Sequence, residues 1–272
     1  MNGKLYVVGT PIGNLGDFSQ RALDVLREVD FIAAEDTRVT LKLLNHFDIK
    51  KEMISYFEHN KNSKGDVIIS RLLSGESCAV CTDAGMPAIS DPGEDLVREC
   101  HENGIEVESV PGPTAFATAL AISGMPSRRF TFEGFLSADK KERKAQLKEL
   151  INERRTMIFY EAPHKLVATL DDMLSAFGNR NVAVVKEITK IHESVFRTTL
   201  AEAVEAYKNE KPKGEFVIIV EGVADNAEEI TFERAVEMAR SLMQNGMSVS
   251  LAAKEIANST PYKKGDIYKA LL

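Results

Sequence analysis

An α/β architecture is what this sequence predicts: two α/β domains, then a small C-terminal helical extension. Three observations predict it. Short apolar runs alternate with helical patterns from the first residues onward, as strand–helix units do. A 44% apolar composition with ordinary Gly and Pro content describes a globular chain, and 272 residues suit two compact domains. The pattern changes character twice, which divides the chain into an N-terminal α/β domain (1–122), a mixed-sheet α/β domain (123–225) and a helical extension (226–272).

The elements follow in order. LYVVG (5–9) reads as a strand, RALDVLREV (21–29) as a helix, FIAAED (31–36) as a strand and TLKLLNHF (40–47) as a helix. MISYF, CAVCTD and IEVESVPG are further strands with helices between them, so the first sheet is expected to be largely parallel. SGMPSRR (123–129) interrupts the pattern with Gly and Pro and marks the boundary. RFTFEGF, TMIFYEA, NVAVVKEI, ESVFRTTL and GEFVIIVEG are five strand-like runs, several alternating, which predicts a mixed sheet. Helices are expected at 140–153, 164–177 and 201–210. From 231 the pattern is helical throughout. Two short helices around NSTPYKKG resemble a helix-turn-helix unit, with Lys263 and Lys264 opening the second helix. A plain helical cap is an equally open reading.

Composition excludes several function classes. No run approaches the roughly 18–20 apolar residues of a membrane span, and MNGKLYVVG enters a strand directly, which argues against a secretory signal. Cys78, Cys81 and Cys100 are too few for a disulfide framework. CAVC reads as buried strand thiols, and no second pair completes a metal site. A cytoplasmic protein without metal is expected. The net charge of −7 argues against general nucleic-acid binding. Residues 138–155 nevertheless carry seven basic and four acidic side chains, as a solvated amphipathic helix or as an RNA-facing surface.

Four loops at strand ends carry the chemistry. GTPIGNLGD (9–17) is glycine-rich but fits neither the dinucleotide fingerprint nor the P-loop, and Pro11 removes an amide donor. TDAGMPAISDPG (82–93) packs two glycines, two prolines and two aspartates into one connection. Its end reads as a helix start, with Asp91 as N-cap, Pro92 at N1 and Glu94 at N3. Asp83 falls where an α/β sheet places ligands, able to accept hydrogen bonds from a ribose or an ammonium group. VPGPTAFA (110–117) puts Thr114 at a helix start, as a cap or a ligand contact. FYEAPHK (159–165) sets Glu161 and His164 beside an aromatic residue. Together the loops frame a cleft that suits a nucleoside with a zwitterionic tail better than a triphosphate.

In order and spacing, GTPIGNL, AEDTR, TDAGMPAISDPG, VPGPTA, FYEAPH and GEFVIIVEG resemble the class III S-adenosylmethionine-dependent methyltransferases, the tetrapyrrole methylase superfamily, over about residues 3–223. AEDTR and YEAPH point within it to enzymes that methylate a cytidine ribose 2′-hydroxyl of small-subunit ribosomal RNA. The resemblance implies a homodimer with S-adenosylmethionine between its two α/β domains. By motif, Pro11, Ile12, Asp83, Gly85, Met86, Thr114 and Ala115 would line the cofactor from the first domain. Tyr160 and Gly214 would do so from the second.

A ribose hydroxyl needs a proton acceptor or a positive group to become a nucleophile. The candidates are Glu35, Asp36 and Arg38 in AEDTR, His59 in FEHN, and Glu161 and His164 in FYEAPHK. Glu35 or Asp36 would relay the proton, and Arg38 would hold phosphate or keep a carboxylate ionised. Asp36 as a mere helix cap is the competing account. RNA affinity would come from Arg128 and Arg129, the 140–155 helix and the C-terminal unit. Two other functions stay open at this level: a methyltransferase acting on a tetrapyrrole or other small molecule, and a non-enzymatic RNA- or nucleotide-binding regulator.

Overall fold

The computed structural model describes residues 2–223 and 230–272. They form two compact units, Met1–Thr118 with Ile188–Ile191, and Ala119–Glu187 with His192–Leu272.

The first unit runs β1 (Lys4–Val8), α1 (Gln20–Glu28), β2 (Phe31–Ala34), α2 (Thr37–His46), β3 (Glu52–Ser55), α3 (Lys61–Leu73), β4 (Cys78–Cys81), α4 (Glu94–Glu102) and β5 (Glu106–Val110). α5 (Ala115–Ser123) crosses into the second unit. The sheet order is β3-β2-β4-β1-β5, and every pairing is parallel. β2 and β4 are buried along their whole length because helices cover both faces, which is why they read as unbroken apolar runs. Cys78 and Cys81 are three apart on one strand and so face opposite sides, each in a different core. Both are fully buried, and burial pushes the Cys81 thiol up to about 12. They are core residues and cannot bridge.

The second unit contains β6 (Phe130–Phe135), α6 (Lys140–Glu149), β7 (Thr156–Glu161), α7 (Leu166–Phe177), β8 (Asn181–Lys186), β9 (Ser194–Thr199), α8 (Leu200–Lys208) and β10 (Phe216–Val220). Its sheet order is β6-β7-β10-β8-β9; β6 and β7 are parallel and the other pairs antiparallel. The mixed sheet expected from the alternating runs is present. Met157, Phe159, Leu170, Met173 and Ile218 anchor its core.

α9 (Phe232–Gln244), α10 (Val249–Ser259) and α11 (Lys264–Leu271) follow. Alanines at 235, 239, 252 and 253 let these helices approach closely, and Ile256 and Ile267 fill the centre. α10 touches α7, and Lys148 Nζ donates to Tyr262 O at 2.9 Å, so the helical trio is tied to the sheet of its own unit. α6 is an amphipathic helix whose buried side includes an arginine. Arg143 is buried and donates from Nε (2.9 Å) and Nη2 (2.7 Å) to Asp172 Oδ2. Lys148 is half-buried. Lys140, Lys141 and Lys144 remain exposed. Among the described residues no helix is long and apolar enough to cross a membrane.

Candidate active site

Because the strands of the first sheet run parallel, the turns leaving β1, β2, β4 and β5 emerge at one edge, the carboxyl edge where open α/β sheets hold ligands. Three of these turns interlock. Thr10 N–H donates to Gly85 O (2.9 Å) and Gly85 N–H donates to Thr10 O (3.2 Å). Thr10 Oγ1 donates to Thr82 O at 3.1 Å. A Cβ on Gly9 would stand 2.7 Å from Gly112 Cα and 2.6 Å from Met86 Sδ. A Cβ on Gly85 would lie 3.6 Å from Ile12 Cγ2 and 3.7 Å from Pro113 O. Pro11 and Ile12, then Asp83, Gly85 and Met86, then the turn leading into Thr114 and Ala115 are thus assembled in one place. The mutual approach of Gly9 and Gly112 was not foreseen; its sequence signal was a glycine just past each strand end. Residues 188–191 also join this unit unannounced, with a Cβ on Gly13 meeting Lys190 Cγ at 2.6 Å.

The restricted loop after β4 differs from its expected role as a helix start. α4 begins at Glu94 behind Gly93 (φ 140°), with no side-chain cap. Asp91 is therefore not an N-cap, and Pro92 is not N1. The loop turns back on itself through Ala88 N–H donating to Pro92 O (3.3 Å). That reversal needs positive φ at Gly85 (92°), Ala88 (67°), Ser90 (64°) and Gly93 (140°). Two of these carry side chains, each at about 1 kcal/mol of backbone strain. Such strain marks loops kept for function rather than for stability. Thr82 Oγ1, at the root of the loop, is buried and has no hydrogen-bond partner among the described residues.

Released from capping, Asp91 joins a carboxylate group at the sheet edge. Asp83 N–H donates to Glu35 Oε2 (3.2 Å), and Asp36 N–H donates to Asp83 Oδ1 (3.2 Å), so the ends of β4 and β2 hold each other's acids. Glu35 is half-buried, and desolvation outweighs the Asp83 amide and raises its carboxyl above the ordinary range. Its Oε1 has no partner among the described residues. Asp36 behaves differently. It caps α2 by accepting Arg38 N–H (2.8 Å), and the Arg38 guanidinium grips it again at 2.6 Å, holding it at about 2. The helix-cap account of Asp36 is the one its geometry supports, and Arg38 keeps that carboxylate ionised. Burial, then the charges of Glu35 and Asp83, push Asp91 up to about 6. Glu35, His59 and Asp91 line a common cavity of ≈480 Å³, with Phe57 and Ser90. His59 stands edge-on to Phe57, on a turn that Asn60 builds by accepting Phe57 N–H at 2.8 Å.

The raised Asp91 value has a consequence for stability. Its carboxyl ionises less readily folded than unfolded, so its favourable contribution exists only at low pH. That contribution is lost as pH climbs from about 4 towards about 6. Asp91→Asn is expected to stabilise the protein by about 1 kcal/mol at neutral pH, after allowing for solvent screening. Thermal unfolding should show that gain shrinking to nothing near pH 4.

The second unit places its candidates separately. Tyr160, next to last in β7, belongs to an aromatic trio, with ring centroids 5.0 Å from Phe132 and 5.4 Å from Phe135, the latter 60% exposed. Gly214 (φ 93°) precedes β10, where a Cβ would meet Glu187 at 2.6 Å. Glu161 is buried, with Oε1 accepting Ala162 N–H (2.8 Å) and Oε2 accepting the Thr169 hydroxyl. Both its oxygens serve the start of α7. His164 is exposed on the following turn. Among the described residues no three His, Cys, Asp or Glu gather as a metal-binding group.

The chain is similar to known proteins in sequence and in fold. The family model for Tetrapyrrole (Corrin/Porphyrin) Methylases matches residues 4–204. Ribosomal RNA small subunit methyltransferase I of Synechocystis sp. is 43% identical over 272 residues, 99% of this chain and 98% of the relative. The protein of that name from Thermotoga maritima is 48% identical over 220 residues, 81% of this chain but 99% of its own length. Uroporphyrin-III C-methyl transferase from Thermus thermophilus, solved with S-adenosyl homocysteine, superposes with a TM-score of 0.57 at 17% identity, covering 80% of this chain and 97% of that one. At that identity the match shows the fold alone. The chain belongs to the tetrapyrrole methylase family and, within it, to the group of ribosomal RNA small subunit methyltransferase I proteins.

Proposed function

We propose that the protein transfers the methyl group of S-adenosylmethionine to the 2′-hydroxyl of a cytidine in small-subunit (16S) ribosomal RNA. The observation that carries this reading is Glu35: a carboxylate of raised pKa, with one oxygen open, beside the three interlocked turns. A hydroxyl acceptor needs such a group, whereas an electron-rich ring carbon of a tetrapyrrole does not.

The residues present fit the methyl donor. Close-packed glycines let backbone approach a ligand, Asp83 offers a carboxylate, and the Thr82 hydroxyl is buried without a partner among the described residues. Glu35, Asp83 and Asp91 together place negative potential where a cation would be held. When bound, S-adenosylmethionine supplies a methyl group already activated on a positively charged sulfur. The protein's own part is to align the ribose and remove its proton. Glu35 Oε1 is the atom that would accept the ribose 2′-proton. Asp36 and Arg38 fix the start of α2 behind it, and His59 borders the same cavity. Pro11, Ile12, Gly85, Met86, Thr114 and Ala115 line the donor in this reading; Tyr160 and Gly214 of the second unit are assigned to it by motif alone. Glu161 and His164 act as positioning residues at the start of α7. A homodimer working in the cytoplasm belongs to the same proposal, with light scattering expected to report twice the mass of one chain.

The test is to incubate the protein with a labelled methyl donor and small ribosomal subunits lacking the modification. Nuclease digestion should return the label in a 2′-O-methylcytidine. Label on a porphyrinogen-like compound, with none in the RNA, would replace this reading with small-molecule methylation. Because the Thermotoga relative is shorter than this chain, deleting 228–272 is expected to leave donor binding intact.

A further inference from the structure

The second unit carries a basic cavity that brings Arg128 and Arg129, two of the residues expected to contact RNA, onto one frame with two further arginines. Its ≈840 Å³ are lined by Arg128, Arg129, Arg154 and Arg155, with Asn152 and Thr156. It lies where β6 and β7 begin and β10 ends. Tyr160 and the Gly214 turn stand at the other end of the same strands, about 16 Å away by the length of β7. It is therefore a separate site from the donor-lining residues of its own unit.

Among the described residues two acids also line the cavity, so arginine outnumbers acid four to two. Glu153 is clamped by Arg155 through Nε (2.8 Å) and Nη2 (2.6 Å), which holds it at about 2. Glu221 Oε2 accepts the Asn181 side-chain amide at 2.6 Å. Arg128 and Arg129 are exposed, and their guanidiniums make no hydrogen bond or ion pair among the described residues.

The backbone beneath the arginines is held rigidly. Buried Thr156 donates N–H to Arg129 O (3.3 Å) and its hydroxyl to Pro126 O (2.6 Å). Val223 N–H donates to Glu153 O at 2.8 Å, and a Cβ on Gly222 would stand 2.2 Å from Arg154 O. Arginine forks on a fixed frame suit phosphate oxygens, and little ordering is left to be done on binding. No aromatic ring lines the cavity on which a base could stack. That combination positions a backbone without reading its sequence.

We infer that this arginine cavity is the docking site for the sugar-phosphate backbone of the RNA substrate, at nucleotides flanking the one that is methylated. The inference rests on the RNA-methylating function proposed above. It explains how a chain of net charge −7 holds a polyanion: by one local, pre-built patch.

The experiment compares Arg128→Ala/Arg129→Ala with wild type and with Lys208→Ala/Lys211→Ala, a pair removing equal charge from the exposed end of α8. Binding of small-subunit ribosomal RNA is measured across a salt series, with methylation kinetics and donor calorimetry. The arginine variant should bind RNA about tenfold more weakly, with a log–log salt slope shallower by about 1.4, as for two lost single-strand phosphate contacts. The KM for RNA should rise while kcat and donor affinity stay at wild-type values, and the lysine pair should lose less than about twofold. Equal losses in both variants, or no loss in either, would overturn the inference while leaving the methylation reading intact. Weaker binding to assembled subunits with unchanged binding to naked RNA would also overturn it, in favour of a protein contact. A wild-type protein that binds no ribosomal RNA at all would instead remove the function on which the inference rests.

Discussion

Glu35→Gln is expected to lower kcat for methyl transfer by about 10²- to 10⁴-fold, the span of a lost general base, while the donor Kd moves only a few-fold. Glutamine has the same shape, and its carbonyl oxygen can still accept the Asp83 amide that Glu35 Oε2 now accepts at 3.2 Å. What it lacks is the open, basic Oε1. The wild-type rate should climb with pH through the raised range of the Glu35 carboxyl, and that limb should vanish in the variant. Asp36→Asn supplies the contrast. Arg38 holds Asp36 ionised at about 2, and its oxygens are committed to capping α2. It is expected to weaken the helix start with a far smaller loss of rate. His59 shares the cavity with Glu35, so an Ala variant at 59 that stops catalysis, beside an active Glu35→Gln, would transfer the role to the imidazole.

Gly9→Ala is expected to destabilise the first unit by about 3 kcal/mol, the upper end for overpacking, and to weaken donor binding more than tenfold. The new methyl would meet Gly112 Cα and N at 2.7 Å. Those are backbone atoms with no rotamer to yield, unlike the Met86 sulfur on the same side. Relief requires the turns after β1 and β5 to separate, and with them the Thr10–Gly85 bridge that joins the turn after β4. Gly104→Ala is the matching control. Its φ is 65° but nothing lies within 4 Å, so only about 1 kcal/mol of left-handed backbone strain is expected and donor binding should be unchanged. Calorimetry with the donor and thermal unfolding of both variants check the pair; equal behaviour of the two would show that the glycine contact does not hold the turns together.

The elements themselves were legible because each carried its own periodicity. The fully buried FIAA and CAVC read as strands because helices cover both faces of a parallel sheet. Loop chemistry was legible where glycine, proline and acid crowd together. Capping was less so: Asp91-Pro92-Gly-Glu94 has the composition of a helix start, yet Gly93 at φ 140° breaks the helical path and frees Asp91 for the carboxylate group. Arg143 was not legible as a buried ion-pair partner, since one side of an amphipathic helix looks solvated until Asp172 of α7 is seen against it.

Sequence alone determined the α/β class, the two kinds of sheet, the helical ending and the turns that bear the chemistry, because propensity and side-chain spacing are properties of adjacent residues. Only the tertiary structure decided which acids are available. Glu35 and Asp83 are 48 residues apart, and their exchange of hydrogen bonds exists because β2 and β4 pair in parallel register. Proton affinity depends on burial and on charges brought close by folding. Three carboxylates that look alike along the chain therefore end as a cap, a candidate base and a half-buried acid of raised pKa.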